Sequence, residues 1–235
     1  MRIDKFLSEL GIASRKEAAL TAKRGGVLIN GKAEKDVSRH IDPERDTVSY
    51  LGKEIRYEKY TYVMLNKPEG YVSATEDTRL PVVTELLSPE LQRRELFPVG
   101  RLDRDTVGLM ILTNNGQLAH TLLSPKHHVE KKYYFRSDVP LPEGAEESFM
   151  AGVVLADGYE CKEASITLDP GRASGIITLT EGKYHQIKRM IASLGASVIY
   201  LERIEFASIP LDRSLLRGEW RYLTEDEIAN LEKTK

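Results

Sequence analysis

Two short helices at the start of the chain are predicted by the spacing of apolar residues. In the first helix, the apolar side chains that share one face are Phe6, Leu7 and Leu10. Gly11 follows them and suits the left-handed conformation that ends many helices. The second helix begins with a capping box of Ser14 and Glu17 and stops at Gly25 and Gly26. A helical pair therefore opens the chain.

A small sheet is predicted after this pair. Short runs typical of strands cover 27–55, and Asn30 followed by Gly31 is the strongest hairpin-turn signal in the chain. Around residues 57–61 the sequence changes from mixed charges to a longer apolar run. We therefore predict a first domain of two helices and a small sheet at 1–57, a flexible junction, and a second domain at 61–235.

The second domain contains both strand and helix patterns. The segments with strand character are 61–75, which a Pro-Glu-Gly turn interrupts, 107–113, 131–139, 163–169 and 174–182. The segments with helical character are 115–124, 144–155, 184–195 and 223–233. No internal repeat accompanies this mixture. The predicted fold class is therefore α+β.

The composition is typical of a globular protein that works inside the cell. The chain has 235 residues, 41% of them hydrophobic, which suffices for one large core and a small appended domain. Cys161 is the single cysteine, so neither an internal disulfide nor a metal site built on paired thiols can form. The start of the chain is charged, and no run approaches the length of a membrane span. We therefore predict a cytoplasmic protein without membrane contact.

Positive charge is concentrated in the first domain. Residues 1–57 carry 12 Lys or Arg and 9 Asp or Glu, a net charge of +3, whereas the remaining chain carries 22 and 27, a net charge of −5. The motifs "SRKEA" and "GGVLINGK" make this domain similar to the small RNA-binding module first described in a ribosomal small-subunit protein. The resemblance implies phosphate contacts that give affinity but little sequence specificity. The residues expected to make them are Arg15, Lys16, Lys23, Arg24 and Lys32.

The helix predicted at 184–195 has one clearly buried face. The apolar residues of that face are Ile187, Met190, Ile191 and Leu194. His185 and Arg189 point away from it, and Lys188 falls at its edge. A half-buried lysine needs a carboxylate partner, and the best candidates lie in the charged cluster at 101–106. We therefore predict an ion pair between Lys188 and an aspartate of this cluster, across a cleft.

Five motifs in a fixed order make the whole chain similar to one known family. They are "LNKPEGYVSA", "GRLDRDTVGL", "KHHVEKKYYF", "EGKYHQIKRMIASLG" and "LRGEWRYLTEDE". Their order and spacing, with the basic module in front, resemble the RsuA family of pseudouridine synthases. The resemblance implies a mixed, mainly antiparallel sheet in the catalytic domain, and isomerisation of uridine in ribosomal RNA without a cofactor or metal. The stretch "LTNNGQLAHTLLSPKHHVEKKY" is most similar to members that act on small-subunit (16S) RNA, with large-subunit (23S) RNA as the alternative.

The resemblance also implies roles for the residues of a catalytic cleft. Asp103 would be the nucleophile, which attacks either carbon six of the uracil ring or the anomeric carbon of the ribose. The position of Lys188 on its helix makes it the candidate cation that would keep this carboxylate ionised while it loses hydration. Tyr133 would stack under the flipped base, and Tyr134 would point to the opposite face of the sheet. Arg101 would enter the RNA as the target nucleotide leaves.

Other residues are expected to shape the cleft or to contact the RNA. Those expected to shape it are Lys67, Pro68, Gly70 and Leu102. His185 and Arg189, on the open side of their helix, would contact RNA. The expected partner is ribosomal RNA in a partly assembled small subunit, and the protein is expected to act as a monomer.

Two other interpretations stay open at this point. Asp103 and Asp105 could form the paired carboxylates of a glycosidase, although Asp105 and Thr106 are more simply explained as hydrogen-bonding groups that fix the loop. A non-catalytic ribosome-assembly factor would use the same basic surface. His127 and His128 do not predict a metal site, because no third ligand lies nearby at a suitable spacing.

Overall fold

The first unit of the structure combines the start of the chain with one later segment. The computed structural model describes residues 1–124 and 126–233. Met1–Thr61 and Leu87–Leu96 form one unit, and the remaining residues form the other. The predicted second domain, 61–235, includes Leu87–Leu96, so the assignment of this segment differs from the expectation. Position along the chain does not show that a segment returns to an earlier core.

Helices and a small sheet build this first unit. The helices are α1 (Ile3–Glu9), α2 (Arg15–Lys23) and, in the later segment, α3 (Pro89–Gln92). The strands, within the described residues, are β1 (Val27–Ile29), β2 (Lys32–Ala33), β3 (Val48–Tyr50) and β4 (Lys53–Ile55), in the sheet order β2-β1-β3-β4. Phe6 and Leu7, predicted to share one face of the first helix, are buried in the core of this unit.

Local signals of the first unit are confirmed. Ser14 and Glu17 form the predicted capping box: the Ser14 amide donates to Glu17 Oε2 (2.7 Å), and the Glu17 amide donates to Ser14 Oγ (3.3 Å). Asn30 and Gly31 connect β1 to β2 with positive φ angles of 51° and 76°, as a two-residue hairpin turn requires. Both features are set by residues close together in sequence, which is why a pattern predicts them well.

A nine-stranded sheet, counted over the described residues, organises the second unit. Its strands are β5 (Tyr62–Lys67), β6 (Phe97–Val99), β7 (Val107–Thr113), β8 (Lys131–Ser137), β9 (Ser165–Leu168), β10 (Ser174–Leu179), β11 (Val198–Phe206), β12 (Ile209–Pro210) and β13 (Trp220–Tyr222). The order is β13-β5-β7-β11-β8-β10-β9, with β12 on β11 and β6 on β7. In the described part, β7 pairs with β11 in parallel and the other ladders are antiparallel. The expected mixed, mainly antiparallel sheet is confirmed.

Along the chain, helices lie between and after the strands of this sheet. They are α4 (Gly116–Leu123), α5 (Ala145–Ala151), α6 (Gln186–Ser193) and α7 (Glu225–Lys233), and a 3-10 helix covers Val83–Leu86. Thr224 and Glu227 form a capping box before α7, because each amide donates to the side chain of the other residue. Among the described residues, no helix combines the length and apolar character of a membrane span.

The central strand β11 is absent from the sequence prediction. Glu202, Arg203 and Glu205 interrupt its apolar run, and charges of this kind rarely mark a buried strand. In the structure Glu202 and Arg203 are nevertheless buried. Strand β7 approaches β11 so closely at Gly108 that an added Cβ would collide with the Arg203 carbonyl oxygen. This close approach positions the charged loop at 100–106, which leads directly into β7.

Candidate active site

The charged loop at 100–106 and the start of α6 line the same cleft of the second unit. The loop joins β6 to β7, and all seven residues of β7 are buried, so the core anchors the end of the loop. Asp103 lies in the middle of the loop with 28% of its side chain exposed. Its carboxylate is therefore partly shielded from water but still accessible from the cleft.

Lys67 stabilises this loop through hydrogen bonds to its backbone. Its side chain is completely buried, and its ammonium donates hydrogen bonds to four backbone carbonyl oxygens. The acceptors are Pro68 (3.1 Å), Asp103 (3.1 Å), Arg104 (3.2 Å) and Thr106 (2.8 Å). Burial lowers the pKa of Lys67 to about 8, against the attraction of the nearby aspartates. Lys67 thus fixes the backbone that carries Asp103.

Further hydrogen bonds hold the same loop from the side. The Leu102 amide donates to Ser73 Oγ (2.9 Å), and the Ser73 hydroxyl donates to the Leu102 carbonyl (2.6 Å). The Gly70 amide donates to the Arg104 carbonyl (2.9 Å). The turn that contains Gly70 therefore braces the loop through its backbone. Sequence analysis did not single out Ser73, because a lone serine in a loop carries no specific signal.

Lys188 forms the ion pair that its position on the helix predicts. Its Nζ lies 3.0 Å from Asp103 Oδ2 and 2.6 Å from Asp105 Oδ1. Burial alone would lower the pKa of Lys188, but hydrogen bonds and charge from Asp105 and Asp103 raise it above its ordinary value. The lysine is therefore a permanent cation shared by two carboxylates.

Asp105 differs from its predicted role. We expected its side chain to fix the loop by hydrogen bonds, whereas its carboxylate pairs with Lys188 on the far side of the cleft. Although burial opposes the shift, the hydrogen bond from Lys188 lowers the pKa of Asp105. The difference arises because the lysine comes from an element 83 residues away.

His185 also approaches the central carboxylate. It precedes α6 with a φ angle of 50°, and its Nε2 lies 3.6 Å from Asp103 Oδ1. Its ring stacks on Tyr184, with ring centroids 3.9 Å apart, and Tyr184 is 76% exposed. A left-handed backbone is uncommon for residues other than glycine, and such conformations cluster at functional sites. The pair forms a planar, accessible surface beside Asp103.

Tyr133 lines the cleft from strand β8. Its side chain is buried, whereas the neighbouring Tyr134 lies on the other face of the sheet and packs edge-on against Tyr200, with centroids 6.1 Å apart. The alternation predicted for this strand is therefore confirmed. Tyr133 also interacts with the guanidinium of Arg203 on β11, so the position of the phenol is fixed from behind.

Comparison with known proteins identifies the family. Residues 61–193 match the RNA pseudouridylate synthase family, and residues 1–47 match the S4 domain. The chain is 45% identical to an uncharacterised RNA pseudouridine synthase of Bacillus subtilis (strain 168), over 97% of each chain. It is 36% identical to ribosomal small subunit pseudouridine synthase A of Escherichia coli (strain K12), over 98% of this chain and 100% of the relative. This chain belongs to the RNA pseudouridine synthase family.

A solved structure supports the same assignment for the synthase. A crystal structure of a pseudouridylate synthase superimposes with a TM-score of 0.69 at 36% identity, covering 98% of this chain and 99% of the other. The resemblance drawn from the five motifs is confirmed. The protein is an isomerase with an RNA-binding S4 domain in front, which removes the glycosidase interpretation.

Thr106 has an unusual place in the cleft of the synthase. It lines the cleft, is almost completely buried, and its hydroxyl has no hydrogen-bond partner within the described residues. The expectation that this hydroxyl fixes the loop is therefore wrong; the Thr106 backbone carbonyl does so through Lys67. A buried hydroxyl without a partner costs stability. The apolar walls around it are Leu102, Leu179, Ile187 and Leu201.

The predicted RNA contacts of the synthase fall into two groups. Arg101 is exposed at the cleft, beside Asp103. Arg189, on the open side of α6, forms an ion pair with Asp157. The predicted contacts of the S4 domain are all exposed, and no carboxylate lies within 4.0 Å of them in the described part of the chain. They are Arg15, Lys16, Lys23, Arg24 and Lys32.

Proposed function

We propose that the synthase isomerises a uridine of small-subunit (16S) ribosomal RNA, with Asp103 as the nucleophile. The observation that carries this proposal is the ion pair between Asp103 and Lys188 (3.0 Å) in a cleft with apolar walls. The name of the Escherichia coli relative, ribosomal small subunit pseudouridine synthase A, supports the choice of RNA. The proposal includes a cytoplasmic site of action and a partly assembled small subunit as substrate.

The reaction exchanges one bond of the base for another. The bond between nitrogen one of uracil and the anomeric carbon breaks, the ring turns, and carbon five bonds to the anomeric carbon. Carbon five loses its proton, nitrogen one gains one, and the product is an isomer of the substrate. Asp103 would attack carbon six or the anomeric carbon, and either route needs an ionised carboxylate. Lys188 supplies the counter-charge to this carboxylate at 3.0 Å.

The other groups of the cleft suit an extruded base. Asp103 lies below the protein surface in the cleft, so it can reach a uracil only after the base has left its stack. Tyr133 offers an aromatic face for the uracil, and Leu201 adds an apolar contact. Arg101 is exposed where its flat cation can stack in the RNA and bind phosphate.

Tritium release from carbon-five-labelled uridine tests the proposal. We would offer the purified chain small-subunit RNA, both naked and with early-binding ribosomal proteins, and large-subunit RNA as the comparison. We expect release only from the small-subunit RNA, since carbon five must lose its hydrogen. Release from large-subunit RNA alone would reassign the substrate, and binding without any release would leave the chain as an RNA-binding assembly factor.

Two basic residues of the S4 domain are expected to supply affinity without affecting chemistry. The paired change Lys23→Gln and Arg24→Gln should weaken RNA binding about tenfold and lower the slope of log affinity against log salt concentration by about 1.5 to 2, because two phosphate contacts are lost. Turnover at saturating RNA should not change. Filter binding at several salt concentrations measures both quantities.

The matched control for this pair removes the same charge from the same unit. Lys5→Gln with Arg39→Gln removes one lysine and one arginine, and each of these side chains already pairs with a carboxylate of that unit. We expect a much smaller change of affinity and slope. An equal effect in both double variants would mean that net charge, rather than the position of Lys23 and Arg24, controls binding.

Thr106→Val is expected to separate stability from activity. Because the hydroxyl is buried and unpaired, its removal should stabilise the protein by about 1 kcal/mol. If the hydroxyl binds the extruded nucleotide, kcat/KM should fall about tenfold, which corresponds to the loss of one hydrogen bond. Thr106→Ser should restore most of the activity. Urea unfolding and tritium release measure the two effects, and unchanged turnover in the valine variant would exclude a substrate contact.

A further inference from the structure

A second cavity lies next to the catalytic cleft. Its volume is about 480 Å³, and it shares Arg101 and Tyr133 with the cleft. Two further lining residues, Lys131 and Arg203, are buried cations that the proposed isomerisation does not use. They come from adjacent antiparallel strands, β8 and β11. The cavity thus adjoins the cleft through shared walls.

Arg203 brings a buried charge to this cavity. Its Nε donates to the Leu109 carbonyl (2.7 Å), and one terminal nitrogen donates to the Gly100 carbonyl (3.3 Å). The guanidinium lies 5.2 Å from the centroid of the Phe206 ring. These neutral partners orient the group but do not neutralise it, and arginine stays protonated in proteins.

Lys131 brings a second charge of the same sign. Its Nζ donates to the carbonyls of Val129 (2.8 Å) and Thr180 (3.3 Å). Burial and the nearby charge of Arg203 lower its pKa to about 8. Within residues 1–124 and 126–233, no carboxylate lies within 4.0 Å of either cation. Two buried, unpaired cations are costly unless something outside the chain compensates them.

The one carboxylate that lines this cavity in the described chain, Glu181, is already engaged. It accepts hydrogen bonds from the Tyr159 hydroxyl (2.8 Å), the Lys162 amide (2.9 Å) and the Gln186 side chain (2.8 Å). Lys183 adds a further cation to the lining. The net charge of the side chains that line the cavity is therefore strongly positive. Its two buried cations, Lys131 and Arg203, have further hydrogen-bond donors left.

We propose that this cavity is a phosphate subsite, in which Lys131 and Arg203 bind a phosphodiester of the RNA adjacent to the extruded uridine. The inference rests on the proposed function and adds a substrate contact to it. A nucleotide that leaves the stack carries its flanking phosphates with it, and charge-assisted hydrogen bonds from a guanidinium and an ammonium suit a phosphate. Occupying the subsite would hold the backbone while the base turns and bonds through a new atom.

The variant Lys131→Met tests the subsite, with Lys132→Met as its matched control. Lys132 is the next residue of the same strand, and its Nζ pairs with Glu205 (2.9 Å). Each variant removes one lysine charge from β8. If Lys131→Met does not fold, Lys131→Gln serves instead, because it retains a donor for the two carbonyls.

The first arm uses inorganic phosphate and the protein alone. Thermal unfolding is measured with phosphate or chloride at equal ionic strength. Phosphate should raise the Tm of the wild type and of Lys132→Met, and this increase should be lost in Lys131→Met. Equal increases in all three proteins would overturn the subsite, and because this arm needs no turnover, its result is independent of the proposed reaction.

The second arm identifies the source of the phosphate. Small-subunit RNA is ethylated at random so that each molecule carries about one neutral phosphate, and bound and free fractions are compared. For the wild type and Lys132→Met, one phosphate should stand out with an affinity loss of about tenfold. For Lys131→Met, that position should no longer matter. Selective phosphate binding in the first arm without such a position would assign the cavity to a free anion and overturn the RNA assignment.

Discussion

Asp103→Asn is expected to slow pseudouridine formation by at least about 10³-fold while RNA affinity stays within about twofold. Asparagine has nearly the same shape but no charge, so it cannot act as the nucleophile. The substitution does not leave Lys188 without a partner, because the lysine also pairs with Asp105 (2.6 Å). The fold of the cleft should therefore survive. Single-turnover tritium release and filter binding measure the two quantities separately.

Asp105→Asn is the matched control for this prediction. It removes the same charge from the other partner of Lys188, two residues away, and leaves Asp103 in place. We expect turnover to fall by no more than about tenfold, since Asp105 positions the lysine and does not touch the reacting atoms. Full turnover by Asp103→Asn would refute the nucleophile assignment, and a total loss in Asp105→Asn alone would transfer the role to that residue.

The parts of the fold that the sequence predicted well depend on neighbouring residues. The capping box of Ser14 and Glu17 and the turn at Asn30 and Gly31 are local arrangements with strong residue preferences. Lys188 was predicted from its angle on the helix, which is local as well. A structural rule that acts within about one helical turn or one hairpin can be applied to a single sequence without knowledge of the fold.

The parts that pattern could not predict depend on distant backbone groups. Strand β11 carries charges that hide its buried position, and its buried Arg203 donates to the carbonyls of Leu109 and Gly100, which belong to another strand and a loop. Ser73 meets Leu102 across 29 positions of the chain, and no spacing rule connects them. Side-chain type predicts what a residue can bind, but backbone carbonyls are the same at every position, so only the fold shows which of them a buried donor meets.

The candidate site shows the same difference between features that neighbouring residues determine and features that distant backbone groups determine. Asp105 and Thr106 were both predicted to fix the loop, and neither side chain does so. The loop is fixed by Lys67 and Ser73 through its backbone. Because the backbone is held in this way, the side chains of the loop are not needed to fix it and can face the cleft. The Asp105 carboxylate binds Lys188, the cation that it shares with Asp103, and the Thr106 hydroxyl has no hydrogen-bond partner within the described residues.

Lys67→Met is expected to destabilise the protein by about 3 kcal/mol and to reduce kcat more than RNA affinity. Replacing a buried cation by an apolar side chain can be neutral when its partners are replaced as well. Here the four carbonyl acceptors remain, and each would be buried without its donor. Three of them belong to the loop that carries Asp103. The loss should therefore appear in both urea unfolding and turnover.

Lys131→Met provides the comparison for Lys67→Met, because it also replaces a buried lysine whose pKa is lowered to about 8. Lys131 donates to two carbonyls, Val129 and Thr180, and to none in the 100–106 loop. Its replacement should cost less stability, and any loss of activity should come from weaker RNA binding. If both variants lose equal stability, burial of the lysine rather than the four carbonyl contacts determines the cost. If Lys67→Met keeps its full kcat, the loop holds Asp103 in place without the ammonium beneath it.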